Sequence, residues 1–104
     1  MTTSQSKPST LKELLMKSNN INLEIVTLSG VVYKQEAMSV TLPTQSGMVG
    51  IFANHTPLVS IIKEGDIVVK EEGNTVRFKS TEGVLEVRPK SEVIIVVDKA
   101  EKIN

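Results

Sequence analysis

His55 is the only histidine in the sequence, and it stands in the run Gly47-Met48-Val49-Gly50-Ile51-Phe52-Ala53-Asn54-His55-Thr56-Pro57-Leu58. A catalytic reading would make His55 a general base, Ser46 or Ser60 the nucleophile and Asp66 the group that orients the imidazole. Nothing in their spacing groups them, and no nucleophile motif surrounds either serine. The structural reading of His55 is the stronger one. In Asn54-His55-Thr56-Pro57 its ring can hydrogen-bond backbone groups that a tight loop leaves unpaired. Metal binding lacks ligands, since one histidine, no cysteine and no clustered carboxylates give neither a tetrahedral nor an octahedral set. Gly47-x-x-Gly50 is neither a dinucleotide fingerprint nor a P-loop, and no helix follows it to hold a phosphate. No cofactor and no metal are expected.

What remains is backbone chemistry. Gly47 and Gly50 suit positive φ or close strand approach, and Pro57 pushes Thr56 toward extended geometry at the start of a strand. The run therefore reads as a rigid, protruding, protein-binding loop.

The whole chain limits the other options. At 104 residues it is the size of one domain with a core of its own. Twelve basic residues balance twelve acidic ones, so no global field draws the chain to nucleic acid or anionic lipid. Only Tyr33, Phe52 and Phe78 are aromatic, too few for a base-stacking platform. The absence of cysteine suits a reducing compartment. No apolar run approaches the roughly 20 residues of a membrane helix, and the first residues lack the apolar stretch of a secretory signal. Membrane association is thus expected only through partners.

Residues 1–20 form a polar extension. Within it Leu11, Leu14 and Leu15 fall at helical spacing and Thr10 with Glu13 forms a capping box, so a short helix near 10–17 is expected, either in a loosely ordered arm or as a docking element. From Ile21 the period becomes two. Leu23 and Ile25 face one way, with Thr27, and Asn22, Glu24 and Val26 face the other. Strands are expected at 31–33, 37–42, 48–52, 58–62, 67–70, 75–80, 84–87 and 92–97, separated by Gly, Pro and Asn turns. Pro43 is expected to end its strand. Lys70, Glu71 and Glu72 read as a solvated hairpin tip. Val93-Ile94-Ile95-Val96-Val97 is apolar on both faces and is expected to be covered on both sides. The fold class is all-β: a flattened antiparallel sandwich of about ten short strands over residues 21–104.

Three ordered pieces of the chain carry a family resemblance. The first is Ser46 to Leu58, with its two glycines and its His-x-Pro end. The second is Ile62-Lys63-Glu64-Gly65-Asp66-Ile67. The third is Gly83-Val84-Leu85-Glu86-Val87-Arg88-Pro89, followed by Val93 to Asp98 and Ala100-Glu101. Together they resemble the N-terminal domain of the epsilon subunit of F-type ATP synthases over about four-fifths of the chain.

The resemblance implies a non-catalytic rotor subunit in the central stalk of a proton- or sodium-driven enzyme. It would connect subunit gamma to the polar loops of the c-ring and couple ion transport to ATP synthesis. It would sit on the cytoplasmic face of a bacterial inner membrane rather than in a mitochondrion or plastid. It implies c-ring contact by Gln45, Ser46, Gly47 and Met48, and a position near gamma for Thr27. Gly50, His55 and Pro57 would structure the loop. Met48 stands where the family often has Glu or Gln, so apolar packing is expected in place of a polar contact. Ala53 replaces a frequent proline. The family usually continues into two inhibitory C-terminal helices, whereas this sequence stops at Asn104, so inhibition by that hairpin and ATP binding are not expected. A generic β-sandwich adaptor, binding some other protein, would share the same residue pattern.

Overall fold

The computed structural model describes residues 19–103; the helix expected near 10–17 lies outside them. The described residues form ten strands: β1 (Ile21–Thr27), β2 (Gly30–Ala37), β3 (Ser39–Thr44), β4 (Gly47–Phe52), β5 (Leu58–Ile62), β6 (Gly65–Glu71), β7 (Asn74–Ser80), β8 (Gly83–Arg88), β9 (Glu92–Val97) and β10 (Ala100–Lys102). Period-two burial explains most of them. In β1 the side chains of Ile21, Leu23 and Ile25 are buried while Asn22 is exposed. The same alternation buries Ile67 and Val69 in β6 and Val76 and Phe78 in β7.

The strands run in the order β10-β7-β6-β3-β5-β8-β9-β1-β2, with β4 paired to the other edge of β3. The path folds on itself at β3, which pairs with β6 through Ser39, Val40 and Thr41 and with β5 through Thr44 opposite Ile62. Two layers result, β4-β3-β6-β7-β10 and β2-β1-β9-β8-β5, with the apolar core between them. The pairs are antiparallel except β1 with β9, which run parallel.

Four local expectations are corrected. Pro43 does not end its strand; it lies inside β3, opposite Met48. Its carbonyl accepts from the Lys63 amide at 3.0 Å, on the side away from β4, so its missing N–H removes nothing from the β3–β4 ladder. The second strand runs on from Tyr33 through the exposed residues Lys34, Gln35 and Glu36 to Ala37; it is an edge strand, where charged side chains are at home. A short tenth strand, Ala100–Lys102, pairs with β7 where no separate strand was expected. Val93, Ile95 and Val97 are buried, but Ile94 is only half-buried and Val96 is 48% exposed, so β9 is covered on one face alone.

Glu71 is also more than a hairpin tip. It ends β6 and accepts a 2.6 Å hydrogen bond from the Tyr33 hydroxyl across the two layers. The Gln35 and Asn74 side-chain amides donate to the same carboxylate. The Tyr33 ring meets Phe78 edge to face at 5.9 Å, so one residue of β2 ties its layer to β6 and β7.

Burial first, then the bond to Glu71, pushes the Tyr33 hydroxyl up to about 12 from its ordinary 10.0. The bonds from Tyr33 and then Asn74 hold Glu71 below the usual carboxylate range. Because the folded value for Tyr33 is the higher one, its contribution is intact below pH 10 and is lost as pH rises toward about 12. Tyr33→Phe should cost about 1 kcal/mol at neutral pH. The gap between its melting temperature and that of the unmodified chain should close between pH 10 and 12, as thermal melts across that range would read out.

Candidate functional site

The strand expected at 48–52 divides the run from Gly47 to Leu58. β4 occupies Gly47–Phe52, so Gln45-Ser46 and Asn54-His55-Thr56-Pro57 lie at its two ends, about 17 Å apart along the strand.

At the first end, Gln45 and Ser46 make a two-residue hairpin turn between β3 and β4. Thr44 closes it: its hydroxyl donates to the Gly47 carbonyl at 2.8 Å and accepts from the Ser46 amide at 3.2 Å. Gly47 has φ 112°, which a side chain would resist. The Gln45 amide donates to the Ile61 carbonyl at 3.0 Å, which anchors the tip to β5. Gln45, Ser46, Gly47 and Met48 are all exposed, Met48 to 65%. The aromatic ring of Phe52 folds back over Gly50, where an added Cβ would lie 3.3 Å from the ring.

The β1–β2 turn repeats this chemistry. The Thr27 hydroxyl donates to the Gly30 carbonyl and accepts from the Ser29 amide, both at 3.1 Å, and Gly30 has φ 120°. Thr27-Leu28-Ser29-Gly30 and Thr44-Gln45-Ser46-Gly47 are the same Thr-x-Ser-Gly device. What Thr27 does within the chain is close this turn. The repeat is visible in the sequence at both turns.

At the second end of β4, His55 Nδ1 donates to the Thr56 carbonyl at 2.7 Å, and the His55 amide donates to Phe52 at 3.3 Å. Asn54 has φ 64°, and its amide donates to Ser91 Oγ at 2.8 Å. Exposed Pro57 leads into β5. This segment is pinned to the β8–β9 turn by Ser91, a partner that sequence reasoning missed. Among the described residues, no group of three or more His, Cys, Asp or Glu side chains could hold a metal ion.

The topology brings Thr27, Gln45 and Ser46 to one end of the sandwich and leaves His55 and Pro57 at the other. Between the two hairpin tips runs a row of outward side chains that alternation alone could not assign to a surface. Ile61 pairs with Val84, Val84 with Val96, Val96 with Val26, and Val26 with Val31. Ile61, Val84, Val96 and Val31 are exposed and Val26 is half-buried. Leu28, at the tip beside them, is 83% exposed, and its amide donates to the Asp98 carbonyl. Five strands thus present one continuous apolar row. An ordered apolar patch of this kind on a folded domain marks an interaction surface.

This fold belongs to a known class. Residues 20–103 match the family model described as the beta-sandwich domain of the ATP synthase Delta/Epsilon chain, and the chain belongs to that family. Among curated relatives, it is 38% identical over 84 residues to the ATP synthase epsilon chain of Roseiflexus sp. (strain RS-1), an alignment covering 81% of this chain and 60% of the relative. It is 37% identical over 84 residues to that of Staphylococcus aureus (strain JH9), covering 80% of this chain and 62% of the relative. The chain therefore spans about three-fifths of the length of these relatives. Its fold is also that of a chain in the cryo-EM structure of the Euglena gracilis mitochondrial ATP synthase, with TM-score 0.76, 24% identity, and coverage of 80% of this chain and 53% of that one.

Proposed function

We propose that this chain is a non-catalytic central-stalk subunit of a proton- or sodium-driven F-type ATP synthase. It connects subunit gamma to the c-ring polar loops and is held at the cytoplasmic face of a bacterial inner membrane by those partners. The observation that carries this reading is the open apolar row from Val31 to Ile61, ending against the rigid β3–β4 tip. Gamma covers the row, with Thr27 at its margin, and the tip from Gln45 to Met48 meets the ring.

The mechanics favour a broad surface over a single contact. Each ion crossing contributes about 2.3 kcal/mol per 100 mV. Several crossings accumulate per catalytic step, so the rotor clamp bears a load on the order of 10 kcal/mol. One hydrogen bond contributes about 1 kcal/mol and would slip. Five apolar side chains at about 1.5 kcal/mol each would carry most of that load, and the exposed tips, locked by threonine and glycine, must supply the rest. Stiffness is part of the function, because a frayed element would yield before torque passed.

Met48→Asp tests the ring contact. Met48 already faces solvent, so the melting temperature should move by no more than a few degrees. Attachment of the assembled stalk to c-rings should weaken about tenfold or more, measured by co-sedimentation with ring-containing vesicles. Unchanged attachment would remove Met48 from the interface.

A further inference from the structure

Strand β4 leaves one edge of its layer open. Among the described residues it pairs with β3 alone. Pro43 has no N–H, and its carbonyl turns away from β4 to Lys63, so Pro43 and Met48 face each other without main-chain bonds. Bonded and unbonded pairs alternate along an antiparallel ladder. The main-chain N–H and C=O groups of Met48, Gly50 and Phe52 therefore all point away from β3. The Phe52 carbonyl accepts from the His55 amide, and among the described residues no group bonds the others. We propose that this edge pairs with β4 of a second copy of the chain, antiparallel and centred on Gly50, so that the free chain forms a two-fold dimer joined edge to edge.

Three observations carry this. The first is an unguarded edge. β2 carries Lys34 and Glu36, and β10 is three residues long with Glu101 and Lys102, features that discourage strand addition. β4 runs through six residues, Gly47-Met48-Val49-Gly50-Ile51-Phe52, with neither charge nor proline. The second is charge. No Asp, Glu, Lys or Arg lies between Glu36 and Lys63, so β3, β4 and β5 offer a charged partner nothing to pair with and a second copy nothing to repel. The third is register. About a centre at Gly50, Gly50 lies opposite its own copy, and Met48 lies opposite Phe52 on both sides of the two-fold. These are the residues whose main-chain groups face outward, so each such pair can exchange hydrogen bonds. Met48 and Phe52 are exposed and make a sulfur–aromatic contact at each end of the joint. The two glycines leave room at its centre for the Phe52 rings, which already fold over Gly50. On the inner side Val49 meets Ile51, which carries the core across the joint. Pairing buries Met48, so a paired chain cannot present it to the ring; that consequence rests on the proposed function, whereas the pairing does not.

The test is sedimentation and amide hydrogen exchange of the full chain between about 10 μM and 1 mM. The mass should rise from 11.4 kDa toward twice that value. Over the same range, exchange at the Met48, Gly50 and Phe52 amides should slow about tenfold, with no slowing along the β2 and β10 edges. Two variants should each weaken association about tenfold or more. Gly50→Pro removes an N–H that lies outside the β3 ladder, and Phe52→Lys sets a charge against Met48 of the second copy. Phe52 is exposed, so Phe52→Lys keeps the fold, and the amides of the unmodified chain decide the matter without any variant. A mass of 11.4 kDa throughout would overturn the proposal. So would association that leaves the three amides exchanging as before, or that both variants leave unchanged. Slowing of those amides only when purified gamma is added would overturn it as well and assign the edge to gamma. The pairing is measured without gamma, so its failure leaves the proposed function standing.

Discussion

Gly83→Ala should lose about 3 kcal/mol or more of stability, the largest effect expected from a single methyl group in this chain. A Cβ on Gly83 would lie 2.0 Å from the Val96 carbonyl oxygen, 2.6 Å from Val97 Cγ1 and 2.9 Å from Val97 Cα. Two of those atoms are backbone, so no side-chain rotation relieves the clash. Nor can the strand move aside easily. Gly83 pairs with Val97 on one side and Ile62 on the other, and both neighbours are buried. For a domain of this size, the loss corresponds to a fall in melting temperature of more than about 12 °C. Gly50→Ala is the matched comparison. There the nearest atom is the edge of the exposed Phe52 ring at 3.3 Å, which can swing away, so the cost should stay below about 1 kcal/mol. Equal melting temperatures for the two variants would mean that the β8–β9 approach is looser than described.

Val84→Lys/Val96→Lys should separate binding from folding. The two side chains are neighbours in the apolar row, and both already face solvent. Replacing them costs only the modest difference in strand preference, so the double variant should melt within a few degrees of the unmodified chain. At the gamma interface the same change buries two ammonium groups where aliphatic contact is expected. A loss of about 2 kcal/mol at each position weakens binding roughly 100-fold or more. Titration of gamma with each chain reads this directly. Undiminished affinity would place gamma on another surface.

The course of the strands was legible in the sequence because inward and outward residues alternate. Leu23 and Ile25 are buried on the face that the pattern assigned them. β9 shows where that logic stops. Val93 to Val97 is apolar at every position, and a strand covered by its own fold reads the same as one whose outer face awaits a partner. The apolar row was hidden for the same reason. Its members come from five strands and meet only through register, which no single segment encodes. Pro43 misled because proline breaks a ladder only on the side where its N–H would have pointed. Tyr33 and Glu71 are 38 residues apart, and nothing local marks them as partners. The hairpin tips were more accessible, since Thr-x-Ser-Gly occurs at both and the glycine in each adopts positive φ. The candidate contact residues Gln45 to Met48 came from family likeness, and the structure adds that they stand on a closed, anchored turn.

The proposed function requires that this domain grip gamma through an extended surface. Calorimetric titration of the full chain into purified gamma measures that most directly, with gel filtration of the mixture as a check on composition. A one-to-one complex with a Kd of about 1 μM or tighter is predicted. A chain that is folded by its methyl spectrum, yet gives no binding heat and elutes apart from gamma, would contradict it.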